Sequence, residues 1–344
     1  MDPTLPAVFT RREALEHGLT RHQVERRVAT ARWRQLRRAV YCLAAMYDAA
    51  GAARQHELEV TAALIAGPHD ALVSHLSAAC LLGWPKPLDG WGPATLTASP
   101  GTCARGRRGL VIQAATVRPV DRATRGGLAT TSPTRTLADV LRHTAPAEAV
   151  AIADHALRTG QVQYEAVAEV LRWQEQWPYA ARGRSSLLLA DPRRETWLES
   201  WSFVTLHAYG VPLPEPQVDV LERQGRFVAR LDGLWDLATA AEADGRVKYD
   251  LRGVLGAGAD PQASADELVS RAQRRLDDEK LRRDRLNDLG LEVVRWGTAE
   301  VRRDPAALVR RVNARRASAD ASRFTGRFRF RPAPPWVAAI NQAG

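Results

Sequence analysis

Apolar positions along the first sixty residues recur with helical spacing, broken by caps and glycines. Thr10 stands before RREALEHG with Glu13 three residues on, the spacing of a capping box, and Gly18 closes the segment. Thr20 repeats the device before RHQVERRVATAR, with Gln23 at the third position. In RWRQLRRAVYCL, Trp33, Leu36, Val40 and Leu43 are interleaved with arginines, the pattern of a β-hairpin. Helix, short turn, helix and basic hairpin is the outline of a small winged helix-turn-helix. From residue 59 helix and strand patterns mix. LEVTAALIAG and SHLSAACLLG predict helices closed by glycine, PATLTASP and LVIQAATV predict strands, and TSPTRTLADVLRH predicts a helix capped by Ser132 with Pro133 first. WQEQWPYAARGRSS reads as a linker, which places a boundary near residue 180.

From Glu195 onward the pattern becomes helix, strand, strand, strand, helix, strand. RRETWLESWSFVTLHAYG predicts a helix ending at Gly210, GRFVARLDGLWD and LATAAEADG two strands, and ASADELVSRAQRRLDDEKLRRDRLNDLG a long amphipathic helix. LEVVRW predicts a buried strand and DPAALVRRVNARR a last helix with Pro305 in its first turn. The fold class expected is α+β and multidomain: a winged helix-turn-helix at 1–58, an α/β connecting segment at 59–178, an α/β restriction-endonuclease-like domain at 190–318, and an Arg/Phe/Pro-rich tail at 319–344.

With 344 residues, the chain suits two or three domains. It has no apolar run near 18 residues and no visible secretory signal, and its three cysteines, Cys42, Cys80 and Cys103, lack metal-ligand spacing. These features predict a cytoplasmic protein without a membrane partner. The net charge of +10 gains meaning from where it sits. Nine arginines and three acids lie between Arg11 and Arg38. In a winged helix the second helix enters the major groove and the wing follows a phosphate backbone, so Arg21, His22, Arg26 and Arg27 are the reading-helix candidates. Arg32, Arg34, Arg37 and Arg38 are the candidates on or beside the wing. Residues 301–331 hold ten more arginines, and RFTGRFRFRPAPPW fits phosphate contact and base stacking as well as a solvated tail.

Three acids are oddly placed. Asp232 sits inside one strand, and Glu242 and Asp244 end the next. A carboxylate inside a strand has poor propensity and is costly on a buried face. Hairpin-related strands would bring these carboxylates together, and a divalent cation such as Mg²⁺ is the usual compensation. Lys248, four residues after Asp244, can orient water or stabilise a pentavalent phosphate. His75 and Asp139, on otherwise apolar helices, read as packing or capping residues, and GAGAD at 256–260 lacks the strand and helix that a phosphate loop requires.

Two resemblances follow from these strings. FTRREALEHGLTRHQVERRVATARWRQLRRAVYCL resembles the N-terminal winged-helix domain of AbiEi-type antitoxins of type IV toxin–antitoxin systems, and S-H-x-S-A-A with T-S-P-x-R-T-L-x-D resembles the region that follows it there. That resemblance implies sequence-directed DNA contact, and, for a non-enzymatic repressor, a toxin partner; a homodimer is a further expectation. From Glu195 to Val301 the chain resembles the PD-(D/E)XK nucleases, closest to their very-short-patch-repair-like branch. The resemblance implies Mg²⁺- or Mn²⁺-dependent phosphodiester hydrolysis. It makes Glu199 an outer acid with Glu195 as alternative, Asp232 the central metal ligand, and Glu242 the second ligand with Asp244 beside it. Lys248 would be a displaced active-site lysine, Lys280 its fallback, and Glu279 with Lys280 would mark the following helix. One departure is plain: two residues after the acid, where the superfamily places lysine, stands Asp244.

Overall fold

A computed structural model of the chain describes residues 5–101, 109–244, 273 and 280–337. It is a mixed α/β protein with three sheets among the described residues. The chain divides into two compact units, Met1–Leu187 and Leu188–Gly344. Lys248, Glu279, Cys103 and the GAGAD string lie outside the described residues. Among those described, no helix is long and apolar enough to cross a membrane.

The first unit begins β1 (Val8–Thr10), α1 (Arg11–Glu16), α2 (Arg21–Ala29), β2 (Trp33–Arg37) and β3 (Val40–Leu43). Both helices start on a complete capping box, Thr10 with Glu13 and Thr20 with Gln23, so each first turn has its free N–H groups satisfied locally. The strands form an antiparallel sheet in the order β1-β3-β2, with an irregularity between Gln35 and Arg37. Phe9, Val24, Trp33 and Tyr41 form the core between this sheet and the helices, with Phe9 edge-on to Trp33 at 4.6 Å.

α3 (Ala44–Ala49) and α4 (Ala52–Ala66) lead into a five-stranded sheet of order β6-β5-β4-β8-β7. Its strands are β4 (Leu72–Val73), β5 (Ala94–Ala98), β6 (Leu110–Ala114), β7 (Arg122–Arg125) and β8 (Leu128–Thr131), with α5 (His75–Leu81) following β4. α6 (Pro133–His143), α7 (Pro146–Arg158), α8 (Tyr164–Trp173) and α9 (Ala180–Leu188) complete the unit. Ser132 caps α6 through the Arg135 N–H, with Pro133 in the first turn, as its sequence predicts.

In the second unit α10 (Trp197–Ala208) precedes β9 (Glu215–Leu221), β10 (Phe227–Trp235) and β11 (Thr239–Ala243). A helix over 280–288, here α11, leads to β12 (Glu292–Trp296), then α12 (Thr298–Arg303), α13 (Pro305–Ser318) and β13 (Arg327–Arg329). The sheet order is β12-β11-β10-β9-β13; β11 and β12 are parallel and the other pairs antiparallel. Leu286 of α11 packs with Val218, Val220 and Leu231 of the sheet, and Phe203 of α10 lies edge-on to Trp235 and Trp296.

The segment after residue 318 differs from the solvated tail considered above. β13 pairs with β9, Arg329 bonds Asp219 at 2.6 Å, and Phe328 stacks on Phe324 at 4.1 Å. Arg and Phe alternate here with the period of a strand, so one face packs and the other carries charge. This segment also fixes the turn after α11. Gly290 has φ +91°, and a Cβ there would lie 2.4 Å from the Arg323 carbonyl oxygen. Gly290→Ala is therefore expected to destabilise the second unit by more than the about 1–2 kcal/mol of left-handed backbone alone. An unchanged urea midpoint would contradict this packing.

Candidate nucleic-acid interface and acidic cluster

Eight basic side chains were expected at DNA, and the structure sorts them. On α2, Val24 is buried against the core, while Arg21, His22 and Arg26 are exposed. Arg27 is half-buried, with its guanidinium 5.5 Å from the centre of the Trp33 ring. Beside and along the hairpin, Arg32 and Arg38 are exposed. Arg34 is exposed too, but it pairs with Asp48 at 3.3 Å and lies over Tyr47 at 4.1 Å. Arg37 is turned aside: its guanidinium donates to the Leu36 carbonyl at 2.8 Å and the Gly109 carbonyl at 2.6 Å. Arg21, His22, Arg26, Arg32 and Arg38 thus form the part of the set most open to a polyanion.

The acids of the second unit meet in one row across the sheet. β10 and β11 pair Gly233 with Ala241, so the same register continued by one residue sets Asp232 opposite Glu242. On the other side, β9 and β10 pair Gly233 with Pro216 and Leu231 with Val218, which sets Gln217 opposite Asp232. β11 and β12 pair Glu242 with Arg295. The row reads Gln217, Asp232, Glu242, Arg295. Gln217 has φ +55°, a left-handed conformation uncommon for a side-chain-bearing residue inside a strand.

Like charges directly opposite on neighbouring strands destabilise a sheet unless something offsets them. Asp232 accepts the Ala243 N–H at 2.7 Å. Its pKa is nevertheless pushed up to about 7, first by burial and then by the charges of Glu199 and Glu242, against a lowering from that N–H and from Arg282. Glu242, 5% exposed, is held by Arg282 of α11 and by Arg295, the latter at 3.1 Å. Glu199, 2% exposed, closes the capping box of α10. It accepts from the Glu195 and Thr196 N–H groups at 3.0 and 3.1 Å and from Gln217 at 2.7 Å.

The remaining candidates fall around this row. Asp244 donates its N–H to the Trp296 carbonyl at the end of β11. Glu195 lies 3.0 Å from Arg331 and 4.0 Å from Arg230. Lys280 is exposed, two positions before Arg282, and residues two apart on a helix point in different directions. The cation that reaches the acids from α11 is Arg282. Sequence reasoning missed Arg282 and Arg295; the arginine inside LEVVRW, placed in a strand like the acid it meets, was the available signal.

A divalent cation fits the donor chemistry of this row. Asp232 and Glu242 are oxygen donors opposite one another, and with Glu199 they make three acidic side chains beside the two arginines Arg282 and Arg295. Among the described residues no group of three or more acidic, histidine or cysteine side chains is arranged to hold a metal ion by itself. Two carboxylates completed by water and phosphate oxygens remain the applicable mode.

His75 and Asp139 belong to a separate network in the first unit. Asp139 pairs with Arg135 at 2.9 Å and accepts from Gln174 at 3.2 Å, which makes it a buried structural partner. Cys42 and Cys80 are free thiols. No family model matches the chain, and no curated protein is significantly similar to it.

Proposed function

We propose that the protein binds DNA through its N-terminal helices and hairpin and hydrolyses a phosphodiester at the Asp232–Glu242 row. The observation that carries the reading is the register that faces half-buried Asp232 with buried Glu242 across adjacent strands, with a third carboxylate, Glu199, close enough to add to the charge burden on Asp232. Like charges facing across a sheet cost the fold stability, and active sites are where such arrangements are commonly kept.

In this reading the capped α1 and α2 with the sheet β1-β3-β2 serve as a winged helix of AbiEi type. Arg21, His22 and Arg26 face the groove, and Arg32 and Arg38 meet phosphates. Asp232 and Glu242 would hold Mg²⁺ or Mn²⁺. When bound, that ion offsets phosphate charge and lowers the pKa of the attacking water. Glu199 is fixed near Asp232 by two backbone N–H groups and Gln217. Arg282, a third exposed at its side chain, pairs with Glu242 and could turn from it to a phosphate oxygen. Lys248 retains the assisting role implied by its place after Asp244.

A second reading rests on one observation. Glu242 is paired through Oε2 with two guanidiniums and Glu199 accepts from N–H donors, as in a nuclease-like fold kept only to grip DNA, which suits a repressor or antitoxin with a toxin partner. Metal-dependent cleavage lost in Asp232→Ala with binding intact separates the two readings.

The DNA-binding half has its own test. Arg32→Ala and Arg38→Ala should each weaken duplex binding and reduce the slope of log affinity against log salt by about one. Arg37→Ala should leave the slope unchanged, because its guanidinium is spent on two carbonyls. Equal slopes for all four proteins in a fluorescence-anisotropy titration would remove the hairpin from the interface.

A further inference from the structure

The first unit contains a cavity of about 340 Å³ that the proposed DNA chemistry does not use. Its lining includes His75, Gln113, Arg135, Asp139, Arg142 and Trp177, so the S-H-x-S-A-A and T-S-P-x-R-T-L-x-D strings meet in one place. The polar groups here fall into two classes.

Arg135, 1% exposed, is paired through Nε and Nη1. It pairs with Asp139 at 2.9 Å and Asp121 at 3.6 Å, and donates to the Thr116 carbonyl at 3.1 Å. Asp121 is in turn held by Arg118 at 2.8 Å. Arg142 is different. It is 4% exposed, its Nη2 meets His143 Nε2 at 2.7 Å, and its Nε and Nη1 are buried with no hydrogen-bond partner. His75 is 8% exposed; its Nδ1 is bonded to Ser74 at 2.9 Å, and its Nε2 is buried without a partner.

The Trp177 ring lies 5.1 Å from this guanidinium, but a ring face satisfies no N–H, and leaving two buried N–H groups idle is costly. The surroundings add to the cost. Arg182 donates to the Arg142 carbonyl, which brings another positive charge near. Burial and these neighbours also hold His143 down at about 4, so it adds no charge near neutral pH. The Arg142 stem is pressed against Gly183, where a Cβ would come within 2.7 Å of its Cγ, so the guanidinium is held in place. His75 has φ +54°, a strained conformation that puts its ring beside that of His143 at 4.8 Å. Two lining guanidiniums face one lining carboxylate, and that carboxylate is already spent on Arg135.

We infer that this cavity is a binding site for a small phosphate monoester, with Arg142 Nε and Nη1 and His75 Nε2 as the groups that meet its oxygens. The excess of lining positive charge and the idle donors call for an oxyanion, and a phosphate monoester carries about 1.5–2 negative charges near neutral pH. The volume sits at the lower end of about 300–1,000 Å³ for ligand pockets, which suits a sugar phosphate or mononucleotide rather than a dinucleotide. Guanidinium is a usual recognition group for phosphate, and a neutral imidazole can add one N–H donor.

The test is calorimetric titration and thermal melting of the full chain with ribose 5-phosphate, adenosine monophosphate, inorganic phosphate, sulfate and acetate at constant ionic strength. A monoester is expected to bind with 1:1 stoichiometry and raise the melting temperature of the wild type. Arg142→Gln should weaken it at least tenfold. Gln113→Glu, which places a carboxylate at a half-buried lining position and leaves the buried arginine intact, should weaken it as well and covers the case in which Arg142→Gln fails to fold. No binding of any phosphate probe at millimolar concentration, or equal effects of acetate, sulfate and monoester, would overturn the inference. So would binding unchanged in a folded Gln113→Glu.

Discussion

Asp232→Asn is expected to be more stable than the wild type at pH 8, by on the order of 2–4 kcal/mol, and indistinguishable from it near pH 3.5. The Asp232 carboxyl titrates at about 7 in the fold and near 3.8 when unfolded. Between those values the native state holds a proton that the unfolded chain has released, so stability falls as pH rises through the window and is flat above it. Asparagine keeps an acceptor for the Ala243 N–H and carries no charge to bury beside Glu199 and Glu242. Urea melts of both proteins from pH 3.5 to 8 read the difference directly; parallel curves would mean that the three carboxylates are not coupled. Millimolar Mg²⁺ should recover part of the wild-type deficit at pH 8 and leave Asp232→Asn unmoved.

The second large effect belongs to the first unit. Arg135→Met should cost about 3–5 kcal/mol, the usual penalty for removing one partner of a buried ion pair. Arg135 and Asp139 are each 1% exposed, so the abandoned carboxylate has no water to turn to and keeps only Gln174. Arg135→Met/Asp139→Leu should regain much of the loss, because an apolar pair of similar volume avoids burying any charge. A single variant as stable as the wild type in urea would show that the network contributes nothing. If the double variant were no better than the single one, the loss would lie in packing instead.

Local devices were the legible part of the sequence. Thr10 with Glu13, Thr20 with Gln23 and Ser132 with Pro133 act within one helical turn, so spacing alone reveals them. Asp232 was legible because a strand is an awkward place for a carboxylate. Its partners were less so. Glu199 doubles as a cap, Gln217 acts through an unusual backbone angle, and Arg282 and Arg295 come from elements 50 and 63 residues beyond Asp232. Pairings over such separations are fixed by sheet order and register, which no local pattern encodes. The segment around Phe328 was masked by its charge: arginine at every second position suggests solvent, yet the alternation is what an edge strand with one packed face requires. The idle nitrogens of Arg142 had no sequence signature at all, since they depend on what the fold fails to place beside them.

The most direct measurement is cleavage of supercoiled, linear, mismatched and single-stranded DNA by the purified full chain with Mg²⁺ or Mn²⁺, beside Asp232→Ala and Glu242→Ala. Metal-dependent strand breaks in the wild type, absent from both variants while DNA affinity is retained, are the predicted result. Intact DNA on every substrate with binding preserved, or cleavage that survives Asp232→Ala, would contradict the assignment of phosphodiester hydrolysis to this row.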